Sequence, residues 1–432
     1  MSSRSARRGA AILRAGAALL LCLAPPGPDA AGAAGEGAHR LKPGARGRAC
    51  LACHPEIEEA LKSPSVHTPV KAGTCSDCHD PHRADHAGLL AAVPERICLA
   101  CHGNVAPDGS RSVHAVVREG TCVRCHDPHA SGQPNLLLAA GNALCLGCHE
   151  DLAKALEASE FRHSPVSRGC STCHVPHASA ASPALLRKDV PALCVACHRT
   201  DEPAFAKAHR GYSVGRSDCG SCHDPHGSSV PGILRTSVHA PVAGGTCVRC
   251  HPEPGSADPL APKREGIDLC RGCHVAVVND AFSKNRIHWP LVDGRACRNC
   301  HRPHASAVPR LLARPPGDLC GGCHRDAVDR HARSATKHPP VGDGECLACH
   351  EPHASNEVHL LPGPEREVCG SCHDWTTHSA HPMGETTRDP RNRNLEVGCD
   401  SCHRAHGTPF RALGHFDPKM DLCVQCHEGF KR

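Results

Sequence analysis

The chain has 432 residues, a formal charge of +5 and 2% aromatic side chains (two Trp, one Tyr and six Phe), against 40 Gly and 38 Pro. Length alone would suggest two or three domains, but so few large apolar side chains cannot build a conventional core of that size. A self-packed globular protein is therefore excluded, and the 33 Cys and 37 His have to carry the organisation.

Residues 1–30 read as an export signal: Arg4, Arg7, Arg8 and Arg14 come first, then the apolar run Ala15 to Ala24, then small residues with a cleavage option at Ala31-Gly32-Ala33. The run is too short for a membrane span, which needs about 20 residues. Lipid attachment at Cys22 is disfavoured, because Leu19-Leu20-Leu21 lacks the small residue expected before a lipidated cysteine. The expected product is exported and has no transmembrane segment.

From Cys50 onward the chain repeats one unit, Cys-x-x-Cys-His, sixteen times. This is the attachment signature of c-type haem: two thiols add to the vinyl groups of one porphyrin, and the adjacent histidine ligates its iron. The units alternate between two kinds. A first kind continues mostly as CHxPH: Cys75/Cys78/His79, Cys122/Cys125/His126, Cys170/Cys173/His174, Cys219/Cys222/His223, Cys297/Cys300/His301 and Cys346/Cys349/His350. Cys399/Cys402/His403 is similar, with Ala405 in place of the proline, and Cys247/Cys250/His251 continues as PEP. A second kind lacks the PH: Cys98/Cys101/His102, Cys145/Cys148/His149, Cys194/Cys197/His198, Cys270/Cys273/His274, Cys320/Cys323/His324, Cys369/Cys372/His373 and Cys423/Cys426/His427. Cys50/Cys53/His54 is an unpaired leader. Together the units use 32 cysteines and leave only Cys22, inside the signal. Zinc sites or redox dithiols would not require a histidine after every pair.

First-kind units lie 47 residues apart from Cys75 to Cys122, 48 from Cys122 to Cys170 and 49 from Cys297 to Cys346, but Cys247 follows Cys219 after only 28. The break suggests two arrays of eight units, residues 31–230 and 231–432, meeting near Val230 to His239. The expected fold is that of a multihaem cytochrome c: mostly irregular with short α-helices, such as Pro55 to Lys62 and Asp151 to Ser159, and little or no β. It should be an elongated haem array with a haem-dominated core, and its cysteines are expected to be buried around cavities.

About sixteen haems need as many second axial ligands. Two histidine families recur at fixed places. One is the PH histidine: His82, His129, His177, His226, His304, His353 and His406. The other precedes each first-kind unit: His67, His114, His163, His209, His239, His288, His338 and His381. His39, His86, His331, His359, His378 and His415 fall outside both. A PH histidine sits three residues from its own attachment histidine, on the same side of a turn. It therefore cannot reach the far face of that haem, and is expected to ligate the next one. Only Met383 and Met420 follow the signal, so bis-histidine ligation and low potentials are expected. The PEP after His251 leaves a haem in that region to take an irregular histidine or to lack a distal ligand.

Losing the signal brings the formal charge to about +2, and two propionates per haem would make the holoprotein acidic. Nucleic-acid binding is thereby disfavoured.

The pattern from about Arg48 to Glu428 resembles that of multihaem c-type cytochromes of the doubled Cys-x-x-Cys-His class. The CHxPH units, such as Cys122 to His129, are similar to those of periplasmic decahaem cytochromes in porin–cytochrome conduits. The resemblance implies a periplasmic or extracellular electron-transfer protein of anaerobic respiration. Its donors would be inner-membrane or periplasmic, and its acceptor an outer-membrane porin–cytochrome or an extracellular one. Two alternatives stay open: a nitrite- or hydroxylamine-type reductase with one open iron, although no CxxCK is present, and a subunit of an extracellular filament.

Overall fold

The computed structural model describes residues 47–374, 378, 384–419, 421–427 and 429; the segment 1–30 expected to be an export signal, His39, His381, Met383 and Met420 lie outside them. Its longest helices have nine residues, Pro94–His102, Glu150–Ala158, Val275–Ser283 and Arg325–Arg333. Three of these start directly after the second-kind histidines His149, His274 and His324, as Pro55–Ala60 does after His54. The helices expected over 55–62 and 151–159 thus form within two residues of those bounds. First-kind units instead fold as single tight turns, such as Cys122–Arg124, in which the backbone N–H of His126 donates to Cys122 O. No helix among the described residues is long and apolar enough to cross a membrane.

Repeats are joined by very short antiparallel ladders. Ser65–Val66 pairs with Ala130–Ser131, Ser112–Val113 with Ala178–Ser179, and Phe161–Arg162 with Gly227–Ser228. Ser237–Val238 pairs with Ala305–Ser306, and Arg286–Ile287 with Ala354–Ser355. Each ladder links the strand before one first-kind unit to the strand after the PH histidine of the next repeat, so contacts run from one repeat to the next. One longer hairpin, Gly384–Asp389 with Asn392–Val397, is specific to the last repeat. β-structure is therefore slight but systematic: two-residue strands too short to leave a sequence pattern.

No large side chain is fully buried among the described residues, and the buried apolar set is Ala130, Tyr212, Val278, Ala281, Ala296, Ala305 and Ala354. The accessible surface is 31100 Å², roughly twice the ~16,000 Å² expected of a compact monomer of this mass. The polypeptide is a scaffold around space. That space is one continuous cavity of about 7590 Å³, lined by the cysteines and histidines of the first fourteen attachment units, Cys50/Cys53 to Cys369/Cys372. Divided over those fourteen it is about 540 Å³ each, within the ~300–1,000 Å³ of a pocket that takes one small molecule.

Because the polypeptide supplies so little core, chain produced without haem attachment should show no cooperative thermal transition by circular dichroism. A sharp melt of the haem-free chain would contradict a haem-dominated core.

Candidate haem sites

The attachment turns bring neighbouring units together at their thiols. Burial and the nearby Cys122 push the Cys98 thiol up to about 11, and burial with Cys170 does the same to Cys145. The same adjacency joins Cys194 to Cys219, Cys320 to Cys346 and Cys369 to Cys399. With Cys270 beside Cys297, six of the seven second-kind units thus abut the next first-kind unit in chain order.

The cysteines do not meet the expectation that they are buried around cavities: among the described residues none is buried, and Cys53, Cys101, Cys148, Cys197, Cys273, Cys323, Cys372, Cys423 and Cys426 are exposed. The last unit goes furthest, with both cysteines exposed and neither they nor His427 lining the cavity. Cys426 keeps one regular contact, lying close enough to Cys402 to add to the effect of burial in raising that thiol. Its other neighbour is Arg391, whose pKa rises first through its hydrogen bond with Asp389 and to a smaller degree through Cys426. The physical reason for the exposure is that so few apolar side chains are buried: the thiols of the first fourteen units face the cavity and not a protein core.

The histidines are more informative. Among the described residues, fourteen pairs of imidazole rings have centroids 5.9–6.3 Å apart. Every pair joins one attachment histidine to one histidine from outside the attachment units. Two nitrogens each about 2 Å from a shared metal, with about 1 Å more to each ring centre, would give a separation of about 6 Å. The donor set and its spacing therefore fit a six-coordinate haem iron between each pair.

Second-kind histidines pair within their own repeat: His102 with His67, His149 with His114, His198 with His163, His274 with His239, His324 with His288 and His373 with His338. First-kind histidines mostly pair with the PH histidine of the following repeat: His79 with His129, His126 with His177, His174 with His226, His251 with His304, His301 with His353 and His350 with His406. The PH histidine therefore reaches back to the preceding first-kind unit, and not forward as its position alone suggested. The ladders explain the direction, since His67 N–H donates to His129 O and His114 N–H to His177 O. Adjacent histidines on one ladder thus face two different sites of the same repeat. His381 is not among the described residues.

The break in the repeat resolves here. His251 pairs with His304 in the regular way, so the PEP does not empty its own unit. What the PEP removes is the partner for His223, and His209 of the same repeat takes that place. His209 is available because its repeat has no second-kind unit to serve. Two departures from the pattern cancel. Tyr212 packs edge-on against His251 at 6.3 Å and its hydroxyl donates to Pro252 O at 2.7 Å, tying the short repeat to the next. At the other end, beyond which no further PH histidine is described, His403 pairs with His378.

Backbone carbonyls orient the rings. All eight first-kind attachment histidines have Nδ1 within hydrogen-bond distance of a backbone carbonyl, that of Gly88, Asn135, Ala184, Gly232, Ala261, Arg310, His359 or Ala412. His67, His163, His239 and His288 are similarly placed against Pro128, Pro225, Pro303 and Pro352. With Nδ1 donating its proton, Nε2 is left as the lone-pair donor to a metal. Burial, foremost, also lowers the pKa of His129, His304, His353 and His406, which favours the neutral ligand form.

Six of the accepting carbonyls lie in turns whose two central residues both have positive φ, as in Asn135-Leu136, Arg310-Leu311, His359-Leu360 and Ala412-Leu413. Left-handed backbone costs an L-residue roughly 1–2 kcal/mol, and its recurrence beside the attachment histidine marks it as part of the site. His359 serves through its carbonyl, while His331 and His415 place Nε2 against His338 O and Asp400 O.

The doubled CXXCH motif matches eight segments: residues 67–107, 114–154, 163–203, 209–238, 239–279, 288–329, 338–378 and 393–432. These cover about three-quarters of the chain. The chain belongs to this family. It is a multihaem c-type cytochrome, and its paired units attach haem c covalently. Seven of the eight matched segments open on the histidine that precedes a first-kind unit, and the fourth is the short one that carries a single Cys-x-x-Cys-His. None of the curated proteins matches the chain.

Arg310, with φ of 58°, provides a test of the turn. Arg310→Gly should leave thermal stability unchanged or raise it by up to ~1 kcal/mol. Arg310→Pro, which forces φ negative and turns the carbonyl away from His301, should cost about 2 kcal/mol or more. Equal melting of the two variants would remove the turn from the site.

Proposed function

We propose that this cytochrome carries about sixteen haems in chain order and passes electrons along them. The observation that carries the reading is the set of fourteen histidine pairs, in which most first-kind sites are shared by consecutive repeats. Each bound haem supplies one-electron exchange between ferric and ferrous iron. The chain's part is to fix the spacing, to hold imidazoles on both faces and to exclude exogenous ligands. The paired rings serve as proximal and distal ligands, with the remaining candidates His82 and His381 serving the terminal sites. Bis-histidine ligation throughout supports low potentials.

Export to the periplasm or beyond is supported by the Arg-led apolar leader. Electrons would come from periplasmic or inner-membrane donors and pass to an outer-membrane or extracellular acceptor. A reductase would need an open iron. The partner at His251, the first suspect from the sequence, counts against one there.

The visible spectrum of the dithionite-reduced holoprotein should not change on adding carbon monoxide, whereas His209→Ala should produce a CO-bound fraction near one haem in sixteen. Carbon monoxide binding by the unaltered protein would favour the enzyme reading. Silence of the His209→Ala protein would break the proposed exchange of ligands at the short repeat.

Ring planes give a second test. His209–His223 and His378–His403 cross at 64° and 86°, while the other twelve pairs lie between 9° and 49°. Nearly parallel imidazoles overlap one iron d orbital, and crossed ones overlap two, which brings those orbitals closer in energy. The ferric EPR spectrum should therefore contain about two haems of distinctly larger g anisotropy beside an ordinary low-spin majority. A single uniform population would contradict these pairings.

A further inference from the structure

In seven of the eight first-kind units a single residue separates the attachment histidine from the Pro-His or Ala-His that follows: Asp80, Asp127, Val175, Asp224, Arg302, Glu351 and Arg404. One backbone bond fixes all seven. Their N–H groups donate, at 2.7–2.8 Å, to the carbonyls of Leu89, Leu136, Leu185, Ile233, Leu311, Leu360 and Leu413, each of which has positive φ. The frame is constant, and only the side chain changes.

The ring pairs give this place a meaning. The histidine before it holds one first-kind site, and the PH histidine two residues after it reaches the preceding one. Asp127 thus stands between the His126–His177 and His79–His129 sites, and Arg302 between His301–His353 and His251–His304. The carboxylates are tied to the reaching histidine: Asp127 Oδ1 accepts from His129 N at 2.8 Å, and Asp224 Oδ1 accepts from His226 N at 3.1 Å and lies 3.4 Å from its Nδ1. Asp80, Asp127, Arg302, Glu351 and Arg404 also line the haem cavity.

Charge at these places divides along the chain. The first four first-kind units carry three carboxylates there, Asp80, Asp127 and Asp224, and no cation. The last four carry Arg302 and Arg404 with a single carboxylate, Glu351. Residues between the paired cysteines do not offset the division: Asp77 and Arg124 cancel in the first four units, while Arg249 and Arg298 outnumber Asp400 in the last four. Negative charge near an iron favours the ferric state and positive charge the ferrous one, and the field is stronger among packed cofactors than in water.

We propose that these junction residues grade the array, holding the first four first-kind haems at lower reduction potential than the last four and so directing electrons from the N-terminal to the C-terminal part of the chain. The proposal rests on the haem-array reading above. Each hop oxidises one ferrous iron and reduces the next ferric one. The first electron comes from the redox donor proposed above, and the last leaves to the acceptor. The seven residues are tuning residues, acting on each iron through its ligands and its field.

The test is a spectroelectrochemical titration of the full-length holoprotein, Asp127→Asn and Arg302→Gln, with haem counted by mass spectrometry. Sixteen haems in the unaltered protein would uphold the array reading independently, and fewer would break that reading instead. With loading equal, each variant should move about two haems in sixteen by about tenfold in the reduction equilibrium, or about 59 mV. Asp127→Asn keeps an oxygen for the N–H groups of His129 and Ala130, and its shift should be upward. The Arg302→Gln shift should be downward. In the unaltered curve, the haems that move in Asp127→Asn should titrate below those that move in Arg302→Gln. Coincident or reversed positions, shifts of the opposite sign, or curves superimposable on the original overturn the proposal. If either variant does not mature, Asp224→Asn or Arg404→Gln takes its place with the same expectation, and failure of these as well overturns it in favour of a role in folding alone.

Discussion

The histidine of Cys-x-x-Cys-His can supply only one axial nitrogen, and in the proposed reading each iron takes a second from another histidine. Much of the arrangement then follows from where that second nitrogen comes from. For second-kind units it comes from about 35 residues upstream, as with His67 and His102. For most first-kind units it comes from the next repeat, as with His129 and His79. The two sources alternate, so a repeat is never complete by itself. Neighbours are held by shared metal sites in this reading, and the backbone contributes only two-residue ladders such as Ser65–Val66 with Ala130–Ser131. This is a repeat protein whose nearest-neighbour interaction is coordination chemistry and not apolar packing.

That arrangement explains how so open a polypeptide holds a defined shape. Few apolar side chains are buried, and those enclosed along the ladders are small: Ala130, Ala305 and Ala354, with Ser228, Ser306 and Ser355 beside them. They sit on the ladders, where two backbones come close and large side chains would force the histidines apart. Hydroxyls of Ser228, Ser306 and Ser355 donate to Leu234, Leu312 and Leu361 carbonyls, pinning each left-handed turn to its ladder. The strain in those turns aims a carbonyl at Nδ1 of the attachment histidine, and the serine holds the aim.

Much of the site was readable from residues alone. The attachment units, both families of histidines and the shortage of core residues were plain, because covalent haem chemistry demands a fixed spacing. Thirteen of the fifteen candidate distal histidines fall into ring pairs. The direction in which a PH histidine reaches was not readable. Spacing of three residues excludes its own haem but treats the units before and after alike, and the ladder that decides between them is too short for an alternating pattern. Nor does the motif at Cys423 and Cys426 differ from its inner copies, although its surroundings do. His378 was passed over as irregular, although a tandem whose members borrow from the next must leave its last first-kind unit in need of a substitute. Leu136 and Leu360 gave no hint of left-handed backbone, since leucine is a poor choice there and only the neighbouring histidine explains it.

In the proposed reading the borrowed ligand would also set an order of assembly. A chain exported N-terminus first would present His79 fifty residues before His129. At that moment the first-kind iron would have one protein nitrogen and a face open to water, while His67 has already passed and is ready for His102. Each new repeat would close the open face left by the one before and leave its own open in turn, so maturation would advance as a moving front one repeat wide. At His403 the second ring would come from His378, already translocated, so that site would need no later residue to close it.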